Sequence, residues 1–299
     1  MSGVARATAS AWLLAGGRTL CLEPWAIMGV LNATPDSFSD GGVHLDPLRA
    51  AEAGLAMVEE GAAILDVGGE STRPGAARVP VEEQIRRVVP VIRAIRRASR
   101  VPISVDTTLS AVARAALDEG ADAVNDVAAG AEDPALLPLV ASRGAGIVLM
   151  HRLAPPPEDA YSDRHARPPA YGDVAREVAA WLLERAALAE GAGVEPPSIV
   201  LDPGLGFGKD VRQNFELLAR VGEVVALGRP VLVGASRKSF LGAAAAEPDP
   251  TRRDVASVVA AVAAWSAGAR ILRTHEVRGL RQGLAVAAAI LAAGRLEDA

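Results

Sequence analysis

The sequence predicts an α/β protein: a single (β/α)8 TIM barrel with a short N-terminal extension. Three observations point there. Eight short, nearly continuous apolar runs alternate with longer segments whose apolar residues recur at three- and four-residue spacing. That alternation describes a parallel sheet covered by helices, and 299 residues suit eight such units. The unusual polar residues also collect at one end of the runs, as they do at a barrel mouth. A doubly wound open sheet is the alternative that the alternation alone leaves.

Taken in order, residues 1–25 form a lead expected to pack on the barrel, and 26–299 form the barrel itself. The stretch MSGVARATASAWLLAGG has one arginine and a short apolar patch, too weak for a convincing secretory leader. The expected strands are AIMGVLN (26–32), AILDVGG (63–69), PISVDTT (102–108), AVNDVA (123–128), GIVLMH (146–151), SIVLDPG (198–204), PVLVGAS (230–236) and ILRTHEV (271–277). Between them lie helical patterns such as LRAAEAGLAMVEEG and VEEQIRRVVPVIRAIRRAS. Glycine follows the helical run in EEGA and DEGA, where a left-handed cap is wanted. The Pro-rich segment 154–170 reads as a long loop inside one unit, with no role the sequence assigns. The runs 255–264 and 284–293 fall well short of the ~18 apolar residues a membrane span needs.

Composition narrows the function. One cysteine, Cys21, excludes an internal disulfide framework and fits a reducing cytoplasm. A net charge of −5 with no basic stripe argues against a nucleic-acid partner. Lysine occurs only at 209 and 238, asparagine only at 32, 125 and 214, and histidine only at 44, 151, 165 and 275. Against so sparse a background, those at strand ends stand out.

The strands finish at Asn32, Asp66, Asp106, Asn125 with Asp126, His151, Asp202, Ser236–Arg237–Lys238, and Arg273 with His275. In a barrel the C-terminal strand ends share one mouth, where the active site forms. Taken singly, Asp106 and Asp202 each also fit a helix N-cap. His151 reads as a satisfied loop histidine, and Asp66 and Asp126 as structural groups tying loop amides. Arg273 and His275, two apart, are expected on one face.

Other chemistries fail on spacing. GLGFGK (204–209) lacks four residues between Gly and Gly-Lys, and Asp210 stands where a phosphate loop needs Ser or Thr. No zinc-ligand spacing and no GxSxG elbow occur. Carboxylates, an amide and an ammonium converging on one mouth suit a planar heterocycle, whose N–H donors need acceptors and whose carbonyl needs a cation. Arg, His and Asn beside backbone amides suit phosphate or pyrophosphate. Together they imply a heterocycle carrying a phosphorylated leaving group.

At these residues the sequence strongly resembles the dihydropteroate synthase family, from Ala26 to about Leu291. Eight motifs carry the resemblance in order: MGVLNATPDSFSDGG, ILDVGGESTRPGA, SVDTT, VNDV, LMH, LDPGLGFGK, GASRKSFLG and RTHEV. RTHEV departs from the commoner RVHDV but keeps Arg and His. The resemblance implies condensation of 6-hydroxymethyl-7,8-dihydropterin pyrophosphate with p-aminobenzoate, giving 7,8-dihydropteroate and pyrophosphate. It implies pterin contacts from Asp106, Asn125, Asp202 and Lys238, with Met150 and Phe207 flanking the ring and Arg273 over one face. It places pyrophosphate at Asn32, Arg273 and His275, with Asn32 also on Mg2+. Phe38, Thr72, Arg73, Ser236 and Ser239 would line the p-aminobenzoate side. Asp106, Lys238, Arg273 and Asn32 would carry the chemistry.

The implied mechanism is dissociative, with mobile loops after the first two strands excluding water. Asp36 and Asp40 would help order the first of these. A homodimer is implied by resemblance alone, and the alanine-rich last two helices suit either an interface or a core. Two rivals share the barrel. A catalytically silent pterin-binding paralogue would lack both mobile-loop motifs and the anion site, and a pterin-dependent methyltransferase would have no use for ESTRPG or RTHEV.

Overall fold

The structure is a computed structural model describing residues 10–33 and 46–294. An antiparallel hairpin, β1 (Ala11–Leu13) and β2 (Thr19–Cys21), comes first. Eight parallel strands follow: β3 (Ala26–Asn32), β4 (Ile64–Gly68), β5 (Ile103–Asp106), β6 (Ala123–Asp126), β7 (Gly146–Met150), β8 (Ile199–Asp202), β9 (Leu232–Val233) and β10 (Ile271–Thr274). They pair in the order β8-β7-β6-β5-β4-β3-β10-β9. A parallel bridge between Leu201 and Val231, with Leu201 N–H donating to Pro230 O at 2.9 Å, joins the two ends. The sheet therefore closes, and the open-sheet alternative is set aside.

Helices cover its outer face: α1 (Pro47–Glu60), α2 (Val81–Ala98), α3 (Ser110–Asp118), α4 (Leu136–Arg143), α5 (Val174–Gly191), α6 (Val211–Ala219), α7 (Gly222–Val225), α8 (Ser239–Ala245), α9 (Asp254–Ser266) and α10 (Val277–Gly294). Their boundaries have local causes. Asp46 caps α1 by accepting from the Leu48 and Arg49 amides, and left-handed Gly61 ends it. Asp210 and Gln213 form a reciprocal capping box on α6. The amphipathic α2 buries Val88, Val91, Ile92 and Ile95 against the sheet.

Alternation along the strands sorts side chains into two cores. Ile27, Leu31, Leu65, Val67, Ile103, Val105, Val124 and Ile147 face the helices. Ala26, Met28, Ile64, Ala123, Val148, Val200, Leu232 and Ile271 fill the inside, together with Trp12, Leu14, Leu20 and Leu22 of the lead. The apolar patch of the N-terminal stretch is thus the floor of the barrel, pinned by Trp12 Nε1 donating to Ser198 O at 2.8 Å.

Every barrel strand except β3 is shorter than its apolar run, and two of them show why. Of 230–236, Leu232 and Val233 form the strand and Val231 adds only its bridge to Leu201, because the chain turns at 235–238, where Lys238 N–H donates to Ala235 O. The last strand stops at Thr274, whose hydroxyl accepts the Glu276 amide at 3.1 Å, and Val277 already begins α10. No helix of the described residues is long and apolar enough to cross a membrane.

Candidate active site

The interior changes character two residues beyond the apolar floor. Ile64 is followed by Asp66, Ala123 by Asn125, Val200 by Asp202 and Ile271 by Arg273, each on the same inward face. Asp66 Oδ1 accepts from Ser104 Oγ at 2.5 Å. Its Oδ2 accepts from Asn125 Nδ2 at 2.9 Å and from Arg273 Nε at 2.7 Å. Asp66 therefore ties side chains across four strands and not loop amides, which corrects the expectation for it. Asp126 does tie loop amides, those of Ala128 and Gly130.

Arg273 continues to Asp106, donating from Nη2 to Oδ2 at 2.9 Å. The other oxygen, Asp106 Oδ1, is buried with no partner among the described residues. Burial first, then the neighbouring Asp66 carboxylate, pushes Asp106 up to about 7 even though Arg273 opposes the shift. Burial also works against the Arg273 charge, but Asp66 and Asp106 more than offset it. Asp106 is no helix cap: Thr107 Oγ1 accepts the Leu109 amide, and Asp133 accepts the Ser110 amide at the start of α3.

Asp202, across the mouth, accepts the Gly204 amide at 2.7 Å and serves its glycine-rich turn. Burial raises its pKa, and Lys238 pulls the other way. Lys238 donates to Leu205 O and lies 4.3 Å above the Phe207 ring centroid, a cation–π contact. Desolvation brings Lys238 down to about 8. Phe207 and Met150 belong to one apolar cluster with Val127, a neighbour the sequence reading overlooked. The mouth thus combines an apolar patch with buried carboxylates, an amide, an ammonium and a guanidinium.

A second group lies beside the first. Asn32 ends β3, half-buried, in register with Gly68. His275 Nδ1 sits 3.0 Å from Ser236 Oγ, and its backbone amide donates to the same oxygen. Burial and then the charges of Arg273, Arg237 and Arg73 hold His275 down at about 3, so it is neutral beside three guanidinium groups. His275 lies just beyond the end of β10, and its partner differs from those of Arg273. Arg237 is occupied by Asp254 at 2.8 and 3.1 Å.

Thr72 is half-buried and Arg73 exposed on the loop after β4. Ser239 Oγ accepts the Ser162 amide at 3.0 Å, so its hydroxyl faces the Pro-rich loop after β7. Phe38, like Asp36 and Asp40, lies outside the described residues. Among the described residues no three His, Cys, Asp or Glu are grouped to hold a metal ion.

Spacing alone makes Lys209 no more than the misplaced lysine of a failed phosphate loop. It is fully buried and donates to Gly204 O and Phe207 O, each at 2.9 Å, while facing His151 Nδ1 at 3.0 Å. Burial lowers Lys209 to about 7 and His151 to about 2, so the imidazole is neutral and free to accept. His151 also packs edge-on against Trp181, with ring centroids 4.9 Å apart. Lys209 thus ties the loop that carries Phe207 to the end of β7. The scarcity of lysine, present only at 209 and 238, was the available signal for it.

Comparison with known proteins agrees with this geometry. A family model described as "Pterin binding enzyme" matches residues 28–275. The chain is 48% identical over 281 residues to the dihydropteroate synthase of Mycobacterium leprae (strain TN), covering 92% of this chain and 96% of that protein. It is 42% identical over 281 residues to the dihydropteroate synthase of Escherichia coli (strain K12), covering 94% and 97%. Among solved structures, Xanthomonas albilineans dihydropteroate synthase with 4-aminobenzoic acid superposes with a TM-score of 0.85 at 42% identity, covering 94% of this chain and 99% of that chain. The same enzyme in complex with 7,8-dihydropteroate gives 0.83 at 40% identity, with the same shares covered.

Proposed function

Because the chain belongs to the dihydropteroate synthase family, we infer that its barrel mouth joins a dihydropterin methylene to the amine of p-aminobenzoate, forming 7,8-dihydropteroate. The observation that carries the site assignment is Asp106 Oδ1, a buried carboxylate oxygen without a partner among the described residues. A buried acceptor left open is costly unless a ligand donor completes it. Ring N–H and amino groups of a pterin are such donors. Asp106, Asn125 and Asp202 would accept or orient them, and Lys238 would donate to the ring carbonyl. Met150 and Phe207 supply apolar surface for the ring, and Arg273 supplies a planar cation for its other face.

The leaving group is read as pyrophosphate, taken up by Asn32, Arg273 and neutral His275, which can donate one N–H. Asn32 suits Mg2+: its amide oxygen is a hard donor, and this cation commonly binds through substrate phosphates and few protein ligands. When bound, the ion would neutralise charge on the departing phosphates. The chain's own groups do the rest. As the C–O bond breaks, its electron pair leaves on the phosphate oxygen, where Arg273 stabilises it. Positive charge spreads into the ring, and ionised Asp106 stabilises it. The arylamine lone pair then attacks the methylene carbon, and the resulting ammonium gives its proton to solvent. Thr72 and Arg73, with Phe38, Ser236 and Ser239, are assigned to the p-aminobenzoate side.

The enzyme is placed in the cytoplasm, consistent with a single exposed thiol, Cys21. A homodimer is proposed through α9 and α10, which pack together and expose Val255, Val259, Val286 and Ile290. The deciding experiment supplies purified protein with Mg2+, the pterin pyrophosphate and p-aminobenzoate. Dihydropteroate should form. Lys238→Ala should weaken pterin binding, whereas Thr72→Ala should mainly raise KM for p-aminobenzoate. Equal effects of both variants on both substrates would contradict the division of the site.

A further inference from the structure

The loop 70–79, which carries Thr72 and Arg73, is closed at its base by one side chain. Glu70 Oε1 accepts the Val79 amide at 2.6 Å, and Oε2 accepts from Arg78 Nη1 at 2.9 Å. Beyond its base, the loop meets two other loops of the mouth. Arg78 also pairs with Glu132 of the loop after β6, and Glu132 pairs in turn with Arg152 at the end of β7. Nearer the tip, the Gly75 amide donates to Pro156 O at 2.7 Å. Pro156 belongs to the Pro-rich loop to which the sequence assigns nothing.

Arg152 is well placed as the fixed end of this chain of charges. Its side chain is only 9% exposed, whereas that of Arg78 is 37% exposed. Asp126, Glu70 and Asp159 add negative charge around it. Asp159 in turn accepts the Gly208 amide, at 3.2 and 3.1 Å, in the loop that carries Phe207. Behind the contacts lies a cavity of about 520 Å³, with Arg78, Glu132, Arg152, Pro155, Pro157 and Trp181 among its walls. The polar contacts therefore border an open cavity and are not sealed by packing on that side.

We propose that Glu132, Arg152 and the Pro156 carbonyl form a latch that engages Arg78 and Gly75 and positions the loop 70–79 over the p-aminobenzoate side. This rests on the assignment of Thr72 and Arg73 to that side. The latch residues are positioning residues that touch neither substrate. The pterin groups, set on strands, on the loop after β8 and on the turn after β9, do not depend on it.

The test is a double-mutant cycle of Arg78→Ala, Glu132→Ala and the pair, with Arg78→Lys as the conservative variant. Each alanine variant should raise KM for p-aminobenzoate by about two- to five-fold, the range that one partly exposed ion pair supports. The double variant should be no worse than the weaker single, and Arg78→Lys should recover most of the loss. Pterin affinity should stay within about two-fold of the parent, because its contacts lie elsewhere. An unchanged KM, additive effects, or a parallel loss of pterin affinity would each overturn the latch. Thr72→Ala, run alongside, separates the two failures. If it leaves KM for p-aminobenzoate unchanged, the assignment of the loop falls. If it raises KM while the latch variants do not, only the latch falls.

Discussion

Asp66, Asp106 and Arg273 place two carboxylates against one guanidinium inside a barrel, with one carboxylate oxygen left open. That arrangement favours substrate binding over the stability of the empty protein. Asp106 ordinarily titrates near 4, but burial and Asp66 raise it to about 7 in the fold. A raised acid costs nothing below pH 4, where it is neutral in both states. The penalty grows between about 4 and 7 and is complete above 7. Asp106→Asn should therefore melt a few degrees higher than the parent at pH 8 and at about the same temperature at pH 4, by calorimetry. The variant should also lose pterin affinity. A melting difference independent of pH would show that the carboxylate is not strained by its surroundings. Sequence alone identified Asp106 and Arg273 as strand-end groups, but it gave no sign of the pairing with Asp66, which is 207 residues from Arg273.

At the scale of elements, the loop after β8 explains why GLGFGK resembles a phosphate loop without being one. Gly204 has φ +68, and a Cβ there would lie 1.8 Å from His151 O. Gly206 has φ +79, and a Cβ would meet Lys238 Cδ at 2.7 Å. These glycines let the backbone wrap Lys209 and lie under Lys238; they cradle lysines, not phosphates. Gly204→Ala combines a left-handed φ with a backbone clash, and should cost about 3 kcal/mol in denaturant unfolding. An unchanged midpoint would mean that the loop can move away freely. The glycine pattern was visible in the sequence. Its purpose was not, because the atoms it accommodates come from β7 and from the turn after β9.

For the whole molecule, the interior reads as a sequence of layers: the lead's Trp12, Leu14, Leu20 and Leu22, then strand apolars, then the polar ring of the mouth. The floor supports the site without taking part in it. Outside, Val255 and Val259 on α9 and Val286 and Ile290 on α10 are all more than 60% exposed. Residues four apart on each helix share a face, so they form two adjacent apolar stripes. Val259→Asp with Val286→Asp should convert a dimer to a monomer in sedimentation equilibrium. A parent protein that sediments as a monomer would remove this interface.

The sequence by itself determined the eight strands, the helices between them and the end of the barrel where the chemistry gathers. Periodicity and strand-end composition are local signals, and a parallel barrel turns them directly into position. Only the tertiary structure decided that Asp66 braces Asn125 and Arg273, that Lys209 is a buried tie and that the Pro-rich loop docks against residues 70–79. Those contacts depend on strand stagger and on how loops from different units stack, and no short stretch of chain contains either.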